Sequence, residues 1–112
     1  MEILHHPDLK KDFKNLKRFA APEESLMAWE RLFLVKGLNE TFGIERYPGF
    51  QDNIIYKARV VPLKESCGKS GGYRLIFQLK GQEIILILVF SRHGIYKDEK
   101  ELQQIIKSRI LN

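Results

Sequence analysis

The segment GYRLIFQLKGQEIILILVF, residues 72–90, alternates in its first half and stops alternating in its second. Tyr73, Leu75, Phe77 and Leu79 fall on one side of an extended chain, and Arg74, Ile76 and Gln78 fall on the other. KGQE then supplies a tight turn, and IILILVF follows with apolar residues on both faces, the pattern of an interior strand. Upstream, NIIYKARVV (residues 53–61) has the same two-residue period. Ile55, Lys57, Arg59 and Val61 share one face, and Ile54, Tyr56, Ala58 and Val60 share the other. Short links between these runs predict an antiparallel meander of three to four strands.

Working outward, helical spacing appears on either side. Leu9, Phe13, Leu16 and Ala20 recur as one stripe over residues 7–20, with Lys10, Lys11, Lys14, Lys17 and Arg18 on the other faces. A second helix is expected after Ala21, with Pro22 in its first turn and Glu23 and Glu24 complementing its dipole. Leu26, Trp29, Leu32 and Phe33 form its stripe and Gly37 is its stop. Residues 38–53 read as a turn-rich connection. A C-terminal helix over residues 98–110 turns Leu102, Ile105, Ile106 and Ile110 inward, with Lys107 and Arg109 near its end. The expected fold is α+β, with two N-terminal helices, the meander and a C-terminal helix, the helices covering one face of the sheet.

The 112 residues suffice for one domain, spanning residues 1–112, and for no second core. Nineteen Lys and Arg against fourteen Asp and Glu leave a formal charge of +5, which favours an acidic partner such as nucleic acid. The single cysteine, Cys67, excludes an internal disulfide and a multi-cysteine zinc site. The start MEILHHPDLKK has no secretory apolar core, and the apolar run at residues 84–90 is too short to cross a bilayer, so a cytoplasmic, soluble protein with no membrane partner is expected.

Gly68-Lys69-Ser70 is the end of a phosphate-binding loop by letter only. That motif needs a glycine at position 63, which is Leu63 here, and a helix after the serine, where this chain has Gly-Gly and then a strand. Lys69 belongs instead to a polar link between two strands that carry Lys57, Arg59 and Arg74. Arg92, His93, Tyr96 and Lys97 follow the third strand and are expected to fold back beside them. A concave cationic site with one imidazole and one phenol suits cleavage of RNA by its own 2′-hydroxyl, which needs a base, an acid and fixed positive charge. The chemistry requires no metal, and no cofactor is implied. His5 and His6 are adjacent near a flexible start, and no carboxylates cluster near the basic segment, so no metal cage is expected.

YKARV (residues 56–60), GKSGGYRLIFQL (68–79), IILILVFSR (84–92) and the terminal KSRIL (107–111) together resemble the RelE/ParE toxin superfamily of bacterial toxin–antitoxin modules, in particular its RelE and HigB-like branch. The resemblance implies a RelE-like fold and a cytoplasmic toxin that cuts mRNA on the ribosome. It further implies silencing by a cognate antitoxin and assembly into toxin–antitoxin oligomers. On that resemblance Lys57, Arg59, Arg74 and Arg92 match the family's cationic positions, and Tyr96 matches an aromatic that orients RNA. The roles expected are transition-state charge from Arg74 and Arg92, a base in Lys57 or Lys69, and an acid in His93 or Tyr96. The alternatives are a ParE-like DNA gyrase inhibitor and a catalytically inactive module that binds its antitoxin or nucleic acid.

Overall fold

The computed structural model describes residues 1–64 and 72–110, in the order β1 (Glu2–His5), α1 (Leu9–Asn15), α2 (Pro22–Glu40), β2 (Ile44–Arg46), β3 (Ile54–Val60), β4 (Tyr73–Lys80), β5 (Ile84–Arg92) and α3 (Glu99–Ile110). The hairpin of β4 and β5 forms as its alternation dictates, with β3 antiparallel on the other side of β4. The α+β class therefore holds, and the sheet is larger than the expected meander. Its order is β1-β5-β4-β3-β2, five strands, and β1 runs parallel to β5. The start read as flexible is thus a sheet edge, with Glu2 opposite Ile84 and His5 opposite Ile87. Part of the connection read as turn-rich is the other edge, β2, with Glu45 opposite Lys57.

The helices lie on both faces of the sheet, not on one. Leu9, Leu16, Leu26, Trp29 and Phe33 from the α1 and α2 side pack on Ala58, Val60, Tyr73, Leu75, Phe77, Ile85, Ile87 and Phe90. On the opposite face Leu102 and Ile106 of α3 pack with Tyr47, Phe50, Ile55, Ile76, Leu88 and Val89. The reason lies in β4 and β5, which offer apolar side chains to both faces, so two layers of cover are needed. A bulge assists. Val89 sits opposite Ile76 but Ile87 sits opposite Phe77, so Leu88 has no register partner and joins Val89 on the α3 side. Phe33 and Phe77 are fully buried and meet edge-on at 5.8 Å, at the centre of the first layer.

Both N-terminal helices end where local geometry changes. α1 stops at Asn15, and Leu16, Lys17 and Phe19 close three-residue turns onto Phe13, Lys14 and Leu16. Helical character in α2 is interrupted at Gly37, whose φ of 78° favours glycine, and the Thr41 hydroxyl donates to the Gly37 carbonyl at 2.6 Å. α3 begins under Asp98, whose carboxylate accepts from the Glu101 amide at 2.9 Å.

A buried ion pair closes the sheet where β1 ends. β1 pairs with β5 only as far as Ile87, which leaves the backbone of Leu88 and Phe90 on an open edge. Asp12 of α1 accepts from the Phe90 amide at 2.9 Å, and Arg109 of α3 donates to the Leu88 carbonyl at 2.7 Å. Arg109 also grips both oxygens of Asp12, at 2.7 and 2.9 Å. The two side chains thus stand in for the strand that is missing there. Among the described residues no helix is long and apolar enough to cross a membrane.

Candidate functional site

Alternation along β3 and β4 sends Lys57, Arg59 and Arg74 to the face that carries α3, beyond the reach of that helix's apolar stripe. There they line a cleft of about 480 Å³, together with Glu45 of β2 and His93 just after β5. Arg59 and Arg74 are register partners, directly opposite each other across the β3–β4 ladder. Side chains so placed stand about 5 Å apart at Cβ, and like charges there are destabilising. Gly43 forms the rim of the cleft with a φ of 79°, its carbonyl accepting from the Arg59 amide at 3.3 Å.

Carboxylates neutralise part of this charge. Arg74 donates to Glu99, the first residue of α3, at 2.8 Å, and the Tyr47 hydroxyl donates to the other Glu99 oxygen. The two bonds hold the Glu99 carboxyl below the usual carboxylate range, that from Tyr47 most strongly. Burial, reinforced by Glu99, pushes the Tyr47 phenol up to about 12. Lys57 stands 3.7 Å from Glu45 and 5.6 Å from the centre of the Tyr47 ring. Arg59 has no ion-pair partner among the described residues and remains exposed. The cleft therefore offers an anion one unneutralised guanidinium, a second held in a fixed direction, an ammonium, an imidazole and a carboxylate.

Of the residues expected at the site, Lys57, Arg59, Arg74 and His93 converge. Arg92 and Tyr96 do not join them. Arg92 pairs in register with Tyr73 and lies over the rings of Phe19, at 4.3 Å, and Tyr73, at 5.0 Å, on the face that carries α1 and α2. The expectation placed it beside Arg74, but the two-residue period of a strand does not let Tyr73 and Arg74, adjacent in β4, share a face. Tyr96 packs into the α3 layer, where burial first and the Asp12 charge next push its phenol up to about 12. Its neighbours are the buried pair of Asp12 and Arg109, not the cleft. Lys69 lies outside the described residues.

Glu45, Tyr47 and Glu99 were not anticipated. Glu45 and Tyr47 sit in or beside a three-residue strand, too short for its period to register against the surrounding Gly and Pro. Glu99 opens α3, where an acidic residue by itself signals no more than a favourable contact with the helix dipole. Among the described residues, no three His, Cys, Asp or Glu side chains gather in a metal-binding arrangement. No protein-family model matches the chain, and no curated protein or solved structure matches it significantly.

Proposed function

We propose that the protein is a RelE/ParE-type toxin, an endoribonuclease that cuts mRNA on the ribosome and is neutralised by a cognate antitoxin. The observation that carries this reading is the cross-strand pair of Arg59 and Arg74, two like charges held opposite each other in a concave cleft and only partly neutralised. A fold tolerates that repulsion at a place where an anion relieves it. A phosphodiester is such an anion, and the cleft carries proton-transfer groups beside the charge.

In this reading the RNA's 2′-hydroxyl attacks the adjacent phosphorus and gives its proton to the Glu45 carboxylate at the rim of the cleft. The bond from phosphorus to the 5′-oxygen breaks, and His93 supplies the proton that the departing oxygen takes up. The products are a 2′,3′-cyclic phosphate and a 5′-hydroxyl. Arg59 and Arg74 hold the charge that builds on the pentavalent phosphorus, Glu99 fixes the direction of Arg74, and Lys57 holds a flanking phosphate.

The test is to express the wild type and Arg74→Ala from a tightly repressed promoter and map mRNA 5′ ends within minutes of induction. Cuts within codons that vanish in the variant are the expected result. Growth arrest with intact mRNA and broken DNA favours the gyrase inhibitor, and absence of arrest favours the inactive binding module.

A further inference from the structure

The guanidinium of Arg74 and the ammonium of Lys57 end long side chains that are 46% and 43% exposed, so packing alone holds neither in one direction. One buried residue reaches both. Tyr47 is 8% exposed, with its ring edge-on to Phe50 at 5.4 Å in the α3 layer. Its backbone amide donates to the Ile55 carbonyl at 2.8 Å, which ties it to β3 just beyond the end of β2. From that base the hydroxyl donates to one oxygen of Glu99, whose other oxygen accepts from Arg74 at 2.8 Å. The Lys57 ammonium lies over the same ring, 5.6 Å from its centre. Glu99 alone is a poor guide for a guanidinium, because its side chain is 53% exposed on the first residue of α3. The bond from Tyr47 removes that freedom, and with the phenol pushed up to about 12 by burial and by Glu99, it remains a donor throughout the neutral range.

We infer that Tyr47 is a positioning residue of the cationic cleft, its hydroxyl aiming Arg74 at the scissile phosphate through Glu99 and its ring seating Lys57 for a flanking phosphate. The inference rests on the reading of the cleft as the site of RNA cleavage. Tyr47 touches no reacting atom; it carries order from the core to two cations that face water. Its two parts act on different quantities. The hydroxyl acts on the rate, because Arg74 meets charge that builds only in the transition state. The ring acts on binding, because Lys57 meets a phosphate that is already charged in the ground state.

The test measures single-turnover cleavage of mRNA on programmed ribosomes as a function of protein concentration. Tyr47→Phe, which keeps the ring and loses the hydroxyl, is expected to slow the saturated rate about tenfold and to leave the half-saturating concentration unchanged. Tyr47→Leu is expected to raise the half-saturating concentration as well. Added to Arg74→Gln, Tyr47→Phe is expected to cause no further loss, because both act at one guanidinium. Ile106→Val trims the same core layer away from the cleft and is expected to cut as the wild type does. A second readout needs no cleavage: the NMR signal of the Arg74 Nε–H is expected to move in Tyr47→Phe towards that of a free arginine side chain. A wild-type rate in Tyr47→Phe, an equal loss in Ile106→Val, or a full additional loss on top of Arg74→Gln overturns the inference. If the wild type itself cuts no RNA, the nuclease reading falls and the Arg74 signal decides. A signal unmoved in Tyr47→Phe then overturns the positioning role, and a moved one upholds the link from Tyr47 to Arg74.

Discussion

Among the described residues two arginine–carboxylate pairs have nearly equal length, 2.7 Å for Arg109 with Asp12 and 2.8 Å for Arg74 with Glu99. Their surroundings differ. The side chains of the first pair are 7% and 1% exposed, those of the second 46% and 53%. In the first, water is excluded, both carboxylate oxygens are used, and two backbone groups of β5 complete the network. In the second, water competes for every bond, so the pair is worth little to stability and is free to be exchanged for another anion. Distance alone would rank them together; burial separates a fastener from a binding group.

The comparison is most exposed to test at the buried pair. Arg109→Met is expected to cost about 3–5 kcal/mol in urea unfolding, because it leaves Asp12 charged and buried and the Leu88 carbonyl without its donor. A loss below about 1 kcal/mol would erase the distinction between the pairs. Replacing both Asp12 and Arg109 by apolar residues is expected to recover little of this, since the Phe90 amide and the Leu88 carbonyl then both lack partners.

At the exposed pair the order of effects inverts. Arg74→Gln is expected to change stability by less than about 1 kcal/mol while lowering the rate of mRNA cleavage about a hundredfold or more. Arg59→Gln sharpens the contrast, because it removes a cross-strand repulsion. It is expected to raise stability by about 0.2–1 kcal/mol and still to depress cleavage, so a variant that is both less stable and fully active would contradict the cleft reading.

The smallest expected effect is on pH dependence. Glu99 has a lowered carboxyl in the folded state, so its contribution is complete above the ordinary carboxylate range and is lost as pH falls through its folded value. Tyr47 is raised to about 12, so its contribution is complete below pH 10 and is lost as pH climbs from 10 towards 12. Tyr47→Phe is expected to flatten the alkaline part of the stability profile, measured by urea titration at stepped pH, and to shift the acid part slightly through Glu99.

Residues 72–90 and Lys57, Arg59 and Arg74 were legible because a strand's period of two assigns each side chain to a face without any knowledge of the partner. β1 was not, since four residues with Ile3 and Leu4 side by side carry no period, and the parallel partner lies at the far end of the chain. β2 was hidden for the same reason of length, and with it went Glu45 and Tyr47. The placement of α3 on its own face was implicit in Ile76 and Val89, apolar residues on the face that the meander reading left uncovered. Arg92 and Tyr96 were misplaced because a basic loop was assumed to fold towards other basic residues. Apolar contact decided otherwise: the guanidinium of Arg92 lies on two aromatic rings, and the Tyr96 ring packs into a core layer.

The clasp between Asp12 and Arg109 joins residues 97 positions apart. During synthesis, α1 therefore emerges from the ribosome with a carboxylate whose guanidinium has not yet been made, and β1 emerges long before β5 exists to receive it. Until translation of α3 is complete the nascent chain lacks an intact sheet edge, which makes the last step of closure a long-range event and slows folding relative to a helical bundle of equal size. A chain lacking Arg109 would have no clasp, and the Asp12 carboxylate would then be buried beside β5 without its guanidinium.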